Sequence, residues 1–161
     1  MKPNTYYAIL LFILTILIGC TKDENNPTAP TIVATEEWEF IMDNDSSNHG
    51  QATFEKKSDG SVSALAIWYF VYQGSTVQCP FESGDVIVAD TAISYTGQGT
   101  ATNPAAPTGY QNSAFTVNVS GVADNGNSHG TWSIAFTTFG WPSNLQGTFT
   151  GTRKSGSGIT K

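Results

Sequence analysis

The chain has 161 residues, of which only 12% are charged; 7 are basic and 13 acidic, a formal balance of −6. That length holds one ordinary domain with appendages rather than two, and the acidic balance excludes broad nucleic-acid binding, which needs cations to neutralise phosphates. Two cysteines and two histidines fall short of a zinc framework. Along the chain, Lys2 gives a short basic start and Tyr6 to Gly19 then runs almost wholly apolar. The stretch Ala8 to Ile18 is 11 residues, interrupted only by Thr15. A helix rising ~1.5 Å per residue over that length stops well short of a ~30 Å hydrocarbon core. Residues 1–19 therefore read as a secretory signal peptide and not as a membrane span.

The apolar segment ends in Leu17-Ile18-Gly19-Cys20, which resembles the lipobox of bacterial lipoproteins. The resemblance implies that the Cys20 thiol carries lipid and that cleavage falls just before it. The following Thr21-Lys22-Asp23-Glu24 resembles the export signal of Bacteroidetes-type surface lipoproteins, a Lys and two acidic residues close behind the lipidated cysteine. It implies lipid anchoring in the outer membrane facing the cell exterior, with the periplasmic face as the alternative. Residues Asn25 to Thr31, including Pro27 and Pro30, read as an extended polar tether, so 20–34 form the lipidated N-terminus and linker. Loss of residues 1–19 leaves six basic groups against 13 acidic ones, a balance of −7. Cys79 is then the one cysteine of the folded part, with no partner for a disulfide. Beside Pro80 in an apolar neighbourhood, it reads as a small buried hydrophobe.

From Thr35 onward the pattern has period 2, punctuated by turn residues. Trp38, Phe40 and Met42 share one face of the first strand, and Glu36, Glu37 and Glu39 read as its solvated start. A turn follows at Asp43 to Asn48. Ala52 and Phe54 alternate up to Lys57, before Ser58-Asp59-Gly60. Ser63 to Tyr72 is nearly continuously apolar, as in a strand covered on both faces. Val86 to Val88 and Ile93 to Tyr95 are short strands, and Gln98 to Ser113 reads as a long loop containing Pro104, Pro107, Gly109 and Tyr110. Phe115, Val117 and Val119 share a face, Asp124-Asn125-Gly126-Asn127 is a strong hairpin signal, and Trp132, Ile134 and Phe136 share the next face. The last strand sets Leu145, Phe149 and Arg153 on one side, with Gly147 and Gly151 between them. The expectation is all-β: about eight antiparallel strands in an up-and-down barrel over residues 35–154, followed by a flexible tail at 155–161. A two-sheet sandwich is the alternative.

Trp38 in the first strand and Arg153 at the end of the last resemble the lipocalin-like (calycin) barrels, in which a first-strand Trp is covered by a cation from the far end of the chain. The resemblance implies that first and last strands close the barrel and that Arg153 lies over the Trp38 ring. No catalytic motif stands out: there is no Gly-x-Ser-x-Gly, phosphate loop or His-Glu-x-x-His. His49 and His129, each before Gly, could meet near Asp43 or Asp124, but they lack a fixed third ligand and read as turn residues. Asp43-x-Asp45 lacks the spacing of a calcium loop. The expectation is thus no enzyme, no metal and no cofactor. A binding module fits better. Trp38, Phe40, Phe54, Phe115, Val117, Trp132, Phe136 and Phe149 would line the barrel interior, around a small apolar ligand or simply as core. Tyr110 and Trp141 would offer loop contacts to a glycan or partner protein. An assembly lipoprotein that recruits partners without a ligand is the other reading. Finally, Asp90-Thr91-Ala92 resembles the O-glycosylation tripeptide of Bacteroidetes exported proteins, which would place a glycan on Thr91.

Overall fold

A computed structural model describes residues 29–160, so the apolar leader, Cys20 and Lys22-Asp23-Glu24 lie outside the described residues. Side chains that alternate between apolar and polar put one face of each segment in a core, and the result is nine strands with no helix among the described residues. They are β1 (Ile32–Met42), β2 (Asp45–Lys57), β3 (Val62–Tyr72), β4 (Ser75–Ser83), β5 (Val86–Ala89), β6 (Ala92–Thr102), β7 (Asn112–Asp124), β8 (Asn127–Phe136) and β9 (Leu145–Gly156). Every pairing is antiparallel, β9 returns to β1, and β4 pairs with β6. Eight strands thus close into an up-and-down barrel, and closure leaves only the four-residue β5 with an unpaired side. A sandwich would interrupt this ladder, which runs all the way round. The extra strand, β5, continues β4 along β6 after the register slips by one residue across Gly84-Asp85.

Three hairpins use two-residue turns with both central residues at positive φ: Asp43-Asn44, Gln73-Gly74 and Asn125-Gly126. That geometry matches the twist of the flanking strands. The turn expected at 43–48 is therefore only two residues, and β2 starts at Asp45. A bulge after it lets Ile41 face His49 while Met42 faces Asp45.

β4 was hidden in the sequence by Pro80. Val77, Cys79 and Phe81 point inward and are buried, while Pro80 points out. The ladder to β3 runs through the Ile67–Pro80 pair, but the ladder to β6 skips from Gln78–Thr102 to Phe81–Gly99. A proline has no N–H to give a neighbour, so a gap there is the expected consequence. The long loop expected at 98–113 contracts to 103–111, because β6 carries on to Thr102. At the ends, β1 opens at Ile32, and β9 runs to Gly156. Residues 157–160 then fold back across the barrel end instead of trailing away, leaving Ile159 and Thr160 buried.

That end carries the closure. Trp38 pairs with Arg153 across the β1–β9 seam, and the Arg153 guanidinium carbon lies 5.9 Å from the Trp38 ring centroid. Glu36, expected among solvated acids, is instead fully buried. Strand alternation explains the split. Glu37 and Glu39 face outward, to Ser155 and Lys154, whereas Glu36 shares the inward face with Trp38 and Phe40. A buried carboxylate needs partners, and Glu36 has five. It accepts hydrogen bonds from the Trp38 indole N–H at 3.1 Å, Arg153 at 3.1 Å, the Ile159 N–H at 3.0 Å, and the N–H and hydroxyl of Thr160 at 3.1 and 2.8 Å. Burial alone would push its pKa up. The donors of Ile159, Thr160 and Trp38 outweigh that and hold it below the ordinary 4.5.

The interior is filled by aromatic rings seated over glycines. A methyl on Gly151 would collide with Phe40, on Gly97 with Phe81, and on Gly50 with Trp68; Phe149 lies across the facing pair Gly121 and Gly130. Phe40 stacks on Trp38 at 6.2 Å and meets Phe149 edge-on at 5.5 Å. Phe81 contacts Trp68, Tyr95 and Phe115.

Trp38→Ala should cost ~3–5 kcal/mol in chemical denaturation, as for a large core aromatic, and Glu36→Ala a similar ~3–5 kcal/mol, since it strands a guanidinium, an indole N–H and two backbone donors. The Glu36→Ala/Arg153→Ala double variant should lose clearly less than the two single losses together. Because the folded pKa of Glu36 lies below its unfolded value, its contribution is present above about pH 4.5 and disappears as pH falls through the folded value. Urea titrations across that window should show the acid loss in the parent protein and a flatter profile in Glu36→Gln.

Candidate binding site

The two barrel ends differ. At one, the segment 157–160 and Glu36 close the opening. At the other, four connections gather: the Asp43-Asn44 and Gln73-Gly74 turns and the longer loops 103–111 and 137–144. Here the interior reaches the surface in a mouth of about 230 Å³, lined by Met42, Asn48, Phe70 and Leu145, with Trp68 and Trp132 meeting edge-to-face at 5.5 Å. The Trp132 N–H donates to the Thr148 carbonyl at 3.1 Å, whereas the buried Trp68 N–H has no partner. Asp43 folds over this rim. Its N–H donates to the Thr148 carbonyl and its carboxylate accepts from the Thr148 N–H at 2.7 Å, in space that Gly147 leaves free.

Beside the mouth, the two long loops build a second depression. Asn103, 4% exposed, organises the first loop: its N–H donates to the Gln111 carbonyl, and its side-chain oxygen accepts from the Ala105 N–H. Gly109 and Gly140 supply positive φ at the tips. In the second loop, the Trp141 ring packs on Phe136 at 5.1 Å, and its indole N–H donates to the Tyr110 carbonyl at 2.8 Å, tying the loops together. The resulting cleft, about 220 Å³, is lined by Tyr72, Gln73, Asn103, Tyr110, Phe139 and Trp141, with no charged side chain on it. Phe139 is 88% exposed and Tyr110 48%. Tyr72 borders both the cleft and the mouth.

The residues expected to line a cavity do point inward, but they fill the barrel. Trp38, Phe40, Phe54 and Phe149 border a void of only about 10 Å³, scarcely a single water. Phe115, Val117 and Phe136 are likewise buried in the core, and Trp132 alone of the set reaches the mouth. Tyr110 and Trp141, 31 residues apart, meet in one cleft. Sequence reading missed Phe139, Tyr72, Gln73 and Asn103; the one available signal was Phe139 standing between Thr138 and Gly140 in a turn.

Other candidates separate. His49 stacks on Tyr69 at 5.0 Å on the outer wall, and His129 sits three strand steps away, about 14 Å at ordinary strand spacing. Asp45 is engaged by Ser47 and Asn48, and Asp124 pairs with Asn127 across its hairpin. Among the described residues, no three His, Cys, Asp or Glu gather to hold a metal ion. Burial pushes the Cys79 thiol up to about 12, so it stays protonated at neutral pH. Thr91 is the second residue of the tight turn between β5 and β6 and is half-buried, its carbonyl accepting from the Ala123 N–H. A depression of about 520 Å³ lies open on the outer wall of β7–β9, edged by Asn118, Ser120, Thr131 and Gln146.

No protein-family model, curated protein or solved structure matches the chain. The architecture is consistent with a lipocalin-like barrel.

Trp141→Phe keeps the ring but removes its N–H, so the loops should part at little thermodynamic cost, about 1 kcal/mol. Amide hydrogen exchange should quicken in 105–111 and 138–141, while the strands keep their protection.

Proposed function

We propose that the protein is a cell-envelope lipoprotein, held by lipidated Cys20 at the exterior face of the outer membrane, whose barrel is a non-enzymatic binding module for a neutral saccharide at its open end. The observation that carries the ligand class is the cleft itself. An almost fully exposed Phe139 stands beside Tyr110 and Trp141. Water disfavours such a surface, and the C–H face of a sugar ring covers aromatic faces well. The neighbouring polar groups are amides, from Gln73 and Asn103, not charges. Amides suit hydroxyls, and an uncharged cleft gives no grip on an anion. An enzymatic role would need an activated nucleophile or base beside this surface, and the polar side chains of the cleft lining are two phenols, an indole and two amides. The anchor rests on the sequence: several acyl chains on one cysteine hold a protein stably where one would not.

A second reading has its own observation. The mouth is floored by Trp68, whose buried N–H is unpaired, and a small, mostly apolar molecule with one acceptor would satisfy it.

Calorimetry with neutral gluco- and manno-oligosaccharides tests the first reading. Phe139→Ala should weaken binding about 5- to 10-fold, the worth of one stacking contact, with thermal stability unchanged, and Trp68→Phe should leave affinity alone. The reverse pattern with small apolar probes supports the mouth, and the absence of binding by any neutral sugar at millimolar concentration overturns the cleft. For the anchor, Cys20→Ser should release the protein from membranes. Replacing Lys22, Asp23 and Glu24 by Ala should abolish protease accessibility on intact cells.

A further inference from the structure

The described chain enters the barrel at the closed end, opposite the mouth and the cleft. Thr31 is tied there to the turn after β2: the Ser58 N–H donates to its carbonyl at 2.8 Å, and its own N–H donates to Ser58 Oγ at 3.2 Å. β9 meets β1 only as far as the Glu36–Gly156 pair, so β1 starts four residues beyond the seam, alongside β2 down to Ile32–Lys57. On this projecting end Ile32 is 54% exposed and Val33 60%. Among the described residues, no other two neighbours in sequence leave large apolar side chains so open.

We infer, resting on the proposed lipid anchor at Cys20, that the closed end lies against the membrane, with Ile32 and Val33 entering its headgroup layer. Reach comes first. Nine residue steps separate Cys20 from Ala29, and extended chain spans at most ~3.6 Å per residue, so the start of the described chain lies within ~32 Å of the anchored cysteine. The cleft is farther by a strand length, since β1 runs from Ile32 up to the Asp43-Asn44 turn on the opposite rim. Composition comes second. The register sets Lys57 opposite Ile32 and Lys56 opposite Ala34, so the aliphatic pair adjoins two ammonium groups on long stems. Such a mixture suits an interface, with the apolar chains among acyl carbons and the lysines reaching back to the phosphates. Of the nearest acids, Asp59 accepts from the Ser61 N–H and hydroxyl at 2.9 and 2.6 Å, and Glu55 lies across from Thr35, farther from the tip. Two aliphatic side chains are too few to bind a membrane alone. Once the anchor confines them beside it, their contact becomes intramolecular and a small patch suffices. The closed end then faces the lipid, and the cleft opens away from it.

Fluorescence quenching tests the inference on the full-length lipidated protein, added to preformed phosphatidylethanolamine–phosphatidylglycerol vesicles. An environment-sensitive thiol label is placed at Val33→Cys or, in a separate variant, at Phe139→Cys; Cys79 is buried and does not compete. Nitroxide-bearing lipids should quench the label at 33 at least about 3-fold more than the label at 139, and iodide in the water should do the opposite. Ile32→Cys supplies a second site in case a label at 33 disturbs β1. If the parent protein does not float with the vesicles, the anchor reading has failed and the membrane contact falls with it. If it floats but iodide reaches the labels at 32, 33 and 139 alike, the anchor stands and the contact alone is overturned. A label at 33 shielded from iodide yet untouched by nitroxide lipids also overturns it, and assigns the surface to a second protein copy.

Discussion

A single carboxylate decides how this barrel closes. Glu36 sits where β1 meets β9, out of contact with water, and a charge there is tolerable only if donors surround it. Those donors come from four places: Trp38 on its own strand, Arg153 on β9, and Ile159 and Thr160 beyond it. They are positioned by three different parts of the chain, so the carboxylate is satisfied only when the seam is in register and the segment after β9 has folded back. Sliding β9 by one residue would turn Arg153 outward and leave Glu36 alone in an apolar surrounding. The seam therefore owes its specificity to an interaction whose loss costs more than its presence gains.

The remaining order is steric. Large rings lie over glycines on neighbouring strands, Trp68 over Gly50, Phe81 over Gly97, Phe40 over Gly151, so the barrel is filled to the density of a solid interior. The filling leaves no room at the centre, and the open spaces lie at the rim, where Trp68 and Trp132 floor a shallow mouth and the tied loops hold Phe139 out in water.

How much of this could be read from the chain depends on how local the cause is. Inward faces came directly from alternation, since Trp38, Phe40, Phe54 and Phe115 needed only a period of 2. The pairing of Trp38 with Arg153 came from resemblance, not periodicity. β4 was illegible because Pro80 argues against a strand, and only the structure shows its nitrogen side coinciding with a gap toward β6. Glu36 looked solvated because its partners other than Trp38 lie 117 to 124 residues away, a distance at which sequence gives no sign of contact. The same holds for the cleft. Tyr110 and Trp141 stood out as loop aromatics, whereas Asn103 and Gln73 belong to the site only because three separate connections converge there.

The fold-back of residues 157–160 also bears on how the chain assembles in time. Adjacent hairpins from β1 to β8 can form as soon as each is made, but β1 waits for a partner encoded more than a hundred residues later, and Glu36 waits longer still. Closing so large a loop is entropically costly and slow compared with hairpin formation. Until it happens the growing sheet has two bare edges and an unshielded Trp38. A chain with this connectivity commits late and all at once, and its most vulnerable species is an open sheet that is almost complete.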